Sequence, residues 1–233
     1  LSVAGISKLE VENSFINYFK KNTEIYKGMK LIDEKLGGTT PLDVILKFPK
    51  AEKNKDKVED ENDWGDEDEN DEKYWFTKDK IMKINMVHNY LESLEPIGKV
   101  LSFSSIIKVA TQLNNDKPLG TLEMGVLYSK IPDSIKKEIV DPYISIKNSE
   151  ARISLRIKDS QEGLRRNDLI NQINYDLKNR LGLENNEFKL GGVLILFNNL
   201  LQSLFKSQIL TLGFVMIGIF IMFLILFKNI KLS

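Results

Sequence analysis

No cysteine occurs among the 233 residues. That excludes a disulfide framework, a thiolate metal site and a cysteine nucleophile. Histidine is nearly missing too, and the single His88 excludes a histidine-cluster metal centre within this chain. Neither sign of charge is in excess: 33 Lys and Arg face 33 Asp and Glu, so the basic surplus of a nucleic-acid binder is missing. Glycine-rich phosphate cradles are lacking as well. Gly37-Gly38 and Gly191-Gly192 stand outside any Walker or G-x-G-x-x-G pattern and read as turns or helix caps. No Ser-His-Asp order carries motif support, and scattered carboxylates do not make an acid/base pair. The expectation is a non-enzyme with no catalytic, cofactor-binding or metal residues and with its substrate-binding residues unassigned.

What is present is unevenly distributed. From Lys50 to Lys73 there are 12 acidic and 5 basic residues, which leaves 28 basic and 21 acidic residues for the rest of the chain. Between Glu59 and Glu72 the sequence reads EDENDWGDEDENDE, without one basic residue. Such a run repels itself and offers little apolar area, so it reads as a disordered acidic insertion. Asp66, Asp68 and Asn70 match the first three ligand positions of a calcium loop, but Asp71 stands where that loop needs glycine. The solvated-loop reading is therefore preferred over a calcium site.

The apolar residues are just as concentrated. Ile209 to Phe227 reads ILTLGFVMIGIFIMFLILF, and the uncharged stretch runs from Ser207 to Phe227 between Lys206 and Lys228. At about 1.5 Å per residue a helix of this length spans a bilayer's hydrocarbon core. A helix apolar on all sides is out of place in a soluble domain of this size. Its C-terminal position and length exclude a cleaved signal peptide. Lys228 and Lys231 beyond the span, against Lys206 before it, put the C-terminal side in the cytoplasm. Residues 1 to about 205 are then extracytoplasmic. The chain begins with Leu1 and shows no signal-peptide n-region, so it reads as a fragment with earlier spans missing.

The polar region alternates two periodicities. Ile25, Met29, Ile32 and Leu36 share one helical face, with Gly37 placed to end that helix. Leu42 to Phe48 alternates as a strand closed by Pro49. Thr77 is placed to cap a helix carrying Ile81, Ile84, Leu91 and Leu94. A short strand is expected at Val100 to Phe103, then a mixed helical stretch through Leu113, and Lys130 to Asp133 opens a short helix ending near Asp141-Pro142. Tyr143 to Lys147 and Arg152 to Ile157 read as a hairpin. Asn167 to Leu181 is amphipathic and capped by Gly182, and Phe188 with Leu190 suggests a last strand before a helix from about Val193 into the membrane. The fold class is α+β, of the split βαβ (ferredoxin-like) type, followed by a long helix that becomes the span. The expected domains are 1–120, a first subdomain carrying the acidic insertion at about 50–73; 121–192, a second; 193–228, a long helix with its span at about 207–227; and 229–233, the start of a cytoplasmic turn.

Individual residues carry competing readings. His88 lies between Ile84 and Leu91 and reads as a partly buried structural histidine rather than a proton sensor. Trp75 and Phe76 read as a hydrophobic staple rather than a substrate contact. Gly213 and Gly218 are not at GxxxG spacing but allow close helix packing. Asn198, Asn199, Gln202 and Gln208 lie near the outer membrane edge, where pairing with neighbouring helices is preferred over lining a substrate path.

Several blocks in order resemble a known superfamily. They are Asn13-Ser-Phe-Ile-Asn-Tyr-Phe-Lys20, Thr23-Glu-Ile-Tyr-Lys-Gly-Met29, Leu36-Gly-Gly-Thr-Thr-Pro-Leu-Asp43, then Gly192, Leu200-Leu-Gln-Ser203, Ser207-Gln-Ile-Leu-Thr-Leu-Gly213 and Ile221 to Phe227. Together they resemble the RND (resistance–nodulation–division) exporters, in the branch of the MMPL-type and hopanoid-type lipid exporters. The resemblance implies one extracytoplasmic porter loop, with two porter subdomains, plus the first span of the following bundle. It implies proton-driven efflux of hydrophobic or amphiphilic molecules, lipids included, in a bacterial inner membrane. The implied partners are the lipid bilayer, the remaining transmembrane segments of the same transporter and a hydrophobic or lipid substrate, with room for a homo-oligomer and no nucleic acid. No proton-relay residue carries over, because the span here has no ionisable side chain, and no cofactor is expected. The alternatives are a membrane-anchored extracytoplasmic sensor or binding module, or an RND-like accessory subunit of protein export.

Overall fold

The computed structural model describes residues 16, 19–49, 75–117, 120–161 and 163–227. The acidic insertion, and with it the weighed calcium site, lies outside the described residues, as do Lys228 and Lys231. The described elements are α1 (Glu24–Lys35), β1 (Thr40–Lys47), α2 (Lys78–Glu92), β2 (Ile97–Leu101), α3 (Phe103–Leu113), α4 (Thr121–Lys130), α5 (Asp133–Ile135), β3 (Ile144–Ser145), β4 (Glu150–Ile157), α6 (Arg166–Asn179), β5 (Phe188–Gly191) and α7 (Val193–Phe227). A turn of π-helix, Lys136–Val140, continues α5.

The fold is α+β. Its sheet runs β2-β4-β1-β5, with β3 on β4, and every pairing is antiparallel. Strand β4 lies between β1 and β2, and β1 lies between β4 and β5. Each βαβ unit is thus split by a strand of the other, and the two units interlock. One sheet therefore draws strands from both sides of residue 120, where the sequence suggested two subdomains.

Period-two alternation explains the layering. Leu42, Val44 and Leu46 of β1 and Ile153, Leu155 and Ile157 of β4 point to one face and are buried. Ile84, Val87 and Leu91 of α2 and Leu169, Ile173 and Leu177 of α6 join them in one core. Residues of the opposite parity, among them Lys99, Arg152, Arg156 and Lys189, remain exposed on the other face.

Helix ends follow local chemistry. The hydroxyl of Thr23 caps α1 by accepting from the Tyr26 amide at 3.3 Å, and that of Thr77 caps α2 by accepting from the Lys80 amide. Ser102 and Ser105 form a reciprocal capping box at the start of α3. Gly182 follows α6 with φ +69°, as a C-terminal glycine should.

Three expectations shift, and one helix is added. The strand anticipated at Val100 to Phe103 is Ile97–Leu101, and Phe103 opens α3 instead. The first hairpin arm shrinks to Ile144–Ser145, because Tyr143 belongs to the turn leaving the π-helix. Helix α4 has no counterpart in the sequence reading. Most consequential, the apolar face of α1 is turned outward: Ile25 is 58% and Leu36 59% exposed, while Asp33 is the buried residue of that helix.

Candidate functional site

The junction between the domain and α7, a helix long and apolar enough to cross a membrane, is the most distinctive feature. Strand β5 ends opposite Asp43, and Gly192 turns the chain into α7 with φ +100°. A Cβ there would lie 3.2 Å from the Pro41 carbonyl oxygen, so glycine lets the backbones meet. Leu194 and Asn198, one turn apart, are buried against the domain. The amide nitrogen of Asn198 donates to the side-chain oxygen of Asn167 on α6 at 3.3 Å. Of the four amides singled out at the membrane edge, this one pairs within the domain, while Asn199, Gln202 and Gln208 stay exposed. Helix α7, 35 residues in all, then continues without a break to Phe227, and its apolar window is unburied.

A second constellation joins α1, the end of β4 and α6. The Asp33 carboxylate is fully buried and accepts five hydrogen bonds: the Thr39 amide at 2.8 Å and hydroxyl at 2.7 Å, the Asp159 amide at 2.9 Å, and the Ser160 amide at 2.8 Å and hydroxyl at 2.6 Å. Burial alone would raise its pKa, but the donors, led by the Ser160 hydroxyl, outweigh that and hold it below the usual carboxylate range. Asp159 in turn binds the buried guanidinium of Arg166, with Nε at 3.0 Å. Sequence reasoning missed both aspartates: Asp33 finds Asp159 and Ser160 from across the fold, while Asp159 and Arg166 are seven residues apart in a stretch without helix or strand periodicity.

His88 sits in a third network. Its ring is buried, more deeply than the partly buried structural histidine expected, and Nδ1 lies 2.9 Å from the Ser102 hydroxyl. That hydroxyl also accepts the Ser104 amide at 3.1 Å as part of the α3 cap. The other ring nitrogen lies 3.7 Å from a Glu92 oxygen, which Lys108 holds at 3.1 Å. Burial, then the Lys108 charge, lowers the His88 pKa against a smaller upward pull from Glu92. The ring is thus kept neutral. The serine-histidine-glutamate order has the outline of a hydrolytic triad, yet Ser102 is 0% exposed and committed to the cap. Beside it a groove of about 380 Å³, lined by Asn85, Asn89, Ser104, Ile107, Lys108 and Thr111 among others, lies between α2 and α3.

Trp75 and Phe76 face inward. Their rings stack edge to face at 5.3 Å and join Phe48, Phe103 and Tyr128 in an aromatic cluster, and the Trp75 indole donates to the Ser149 hydroxyl at 3.3 Å. Gly37, Gly38 and Gly192 have positive φ, in keeping with turn use. Among the described residues, no group of three or more His, Cys, Asp and Glu is arranged to hold a metal ion. No protein-family model and no curated protein matches this chain.

Proposed function

We propose that this chain is the extracytoplasmic porter portion, with one membrane span, of an RND-type exporter that moves hydrophobic or amphiphilic molecules, lipids among them, in a bacterial inner membrane. The observation that supports it most is the unbroken passage from the interlocked βαβ domain through Gly192 into α7. A helix without a hinge transmits rotation and translation, so motion of neighbouring spans reaches the sheet. Leu194 and the Asn198–Asn167 bond fasten the helix to β1 and α6. The order of sequence blocks supports the same reading. Protonation in other spans would drive rearrangement of the porter part, and α7 would carry it.

Two measurements test this. The complete coding sequence should encode about twelve spans in two related halves with an intramembrane acidic residue. A lone span followed by a cytoplasmic signalling domain would overturn the exporter in favour of a membrane-anchored sensor. Everted vesicles holding the complete protein should accumulate a fluorescent amphiphile only while a proton gradient stands. Inserting two Gly residues before Ser207 should abolish that uptake, and unchanged uptake would sink the coupling role of α7.

A further inference from the structure

We infer that α1 is an interfacial helix, lying in the headgroup layer of the bilayer that α7 crosses. The inference rests on α7 being a membrane span, and three features on the page carry it.

The first is position. In the register of the sheet, Thr40 at the start of β1 pairs with Ile157 at the end of β4, and Asp43 pairs with Gly191 at the end of β5. Those three strand ends therefore share one end of the sheet. Helix α1 leads into that end, and Asp33 pins it to Asp159 and Ser160, just past β4. Helix α7 leaves from the same end, where Gly192 crosses Pro41 to Asp43. Helix α1 thus enters the domain at the end from which α7 departs.

The second is spacing. From Asn198, the last buried residue of α7, to Ser207, where the uncharged stretch begins, there are nine helical steps, or about 13 Å. Leu201 and Phe205 remain half-buried along this stem. A helix with its side chains is about 10–12 Å across. A helix laid across this end of the domain therefore fills the gap to the hydrocarbon edge.

The third is chemistry. Ile25, Met29, Ile32 and Leu36 form one stripe, and Ile25, Ile32 and Leu36 are 58%, 41% and 59% exposed. Lys20, Lys21, Lys27, Lys30 and Lys35 are exposed around it, against Glu24 and Glu34. An apolar stripe among lysines is the pattern of a helix that seats its apolar side in the headgroup boundary and pairs its cations with anionic lipid. Among the described residues the stripe stays exposed, and Asp33, on an adjoining side of the helix, makes the attachment.

The absence of cysteine allows a direct test. Ile25→Cys, Ile32→Cys and Glu34→Cys variants of the full chain, each carrying an environment-sensitive fluorophore, are reconstituted in vesicles of equal parts phosphatidylcholine and phosphatidylglycerol. A headgroup nitroxide lipid is the quencher, and Ile217→Cys with an acyl-chain nitroxide reports on the span. Quenching at Ile25 and Ile32 should exceed that at Glu34 roughly twofold or more. Equal quenching at all three, with Ile217 quenched, overturns the interfacial helix and leaves the span standing. An unquenched Ile217 overturns both.

Discussion

The carboxylate of Asp33 accepts the backbone N–H of Asp159 at 2.9 Å, and the carboxylate of Asp159 holds Arg166. Two aspartates in series thus tie α1 to the turn after β4 and then to α6. Asp33→Asn keeps the size but sets an amide against donors. It should cost roughly 2–4 kcal/mol, read as a lowered midpoint of chemical unfolding of the chain in detergent. Glu34→Gln, on the exposed side, should stay within about 0.5 kcal/mol. Equal effects would show that the five bonds do not carry the attachment.

The same carboxylate sets an acid limit. Its native pKa is lowered, so as pH falls the unfolded chain takes up the proton first. The stabilising contribution is whole above the ordinary carboxylate value of about 3.9 and is lost as pH drops through the lower native value. The stability gap between wild type and Asp33→Asn should therefore be flat from neutral pH to about pH 5 and shrink only below the carboxylate range. A gap that closes between pH 7 and pH 5 would contradict the geometry.

His88 should titrate late. Burial and Lys108 lower its pKa, so the C2 proton resonance in micelles should move with a midpoint below the ordinary value of about 6.5. The unfolded chain protonates first, so this group stabilises the fold above its ordinary value and that contribution is lost as pH falls through the native one. Lys108→Ala removes a repelling cation and should raise the midpoint. A midpoint at or above the ordinary value would place the ring in water.

Glycine substitutions should separate strain from collision. Gly182→Ala meets no atom within 4 Å at φ +69° and should cost about 1 kcal/mol. Gly38→Ala, at φ +108°, would bring its Cβ to 2.5 Å from the Ile157 carbonyl oxygen. That forces the β1–β4 edge apart and should cost about 3 kcal/mol or more. Thermal unfolding of the two variants side by side checks the order.

A charge in α7 should oppose insertion. Ile217→Arg at mid-span should cost about 2.5–3.5 kcal/mol on insertion scales, and alkaline carbonate should then extract the chain from membranes. Ser203→Arg, in the stem, should leave it resistant. Equal extraction of both would remove the span.

Much of this architecture is legible in the chain because its signals are local. Thr77 caps α2, Leu42 to Leu46 alternates, and Gly182 closes α6, each by a rule that reads a few neighbouring residues. The burial of His88 follows from its place between Ile84 and Leu91. Its partner Ser102 does not, for it arrives from the next loop. The Asp33 cluster is invisible for the same reason on a larger scale, since polar residues far apart in sequence look solvated one by one. Periodicity marked the apolar side of α1 correctly but says nothing of what covers it. Helix α4 contains Gly125 and starts after Gly120, whose amide donates to the Glu123 carboxylate at 2.8 Å; with glycine in place of a Ser, Thr, Asp or Asn cap, the local rules that found the other helices had little to hold.

The interlocked strand order has a consequence for biosynthesis. Strand β1 forms the middle of the sheet, yet its neighbours are β4 and β5: Thr40 waits for Ile157, and Val44 for Leu190. Pairings this distant close slowly. The last one becomes available only when residue 191 has emerged, at the moment α7 begins to follow. The domain therefore completes itself only as the long apolar helix α7 follows it out, and a pause in translation once Gly191 has emerged would give the sheet time to close first.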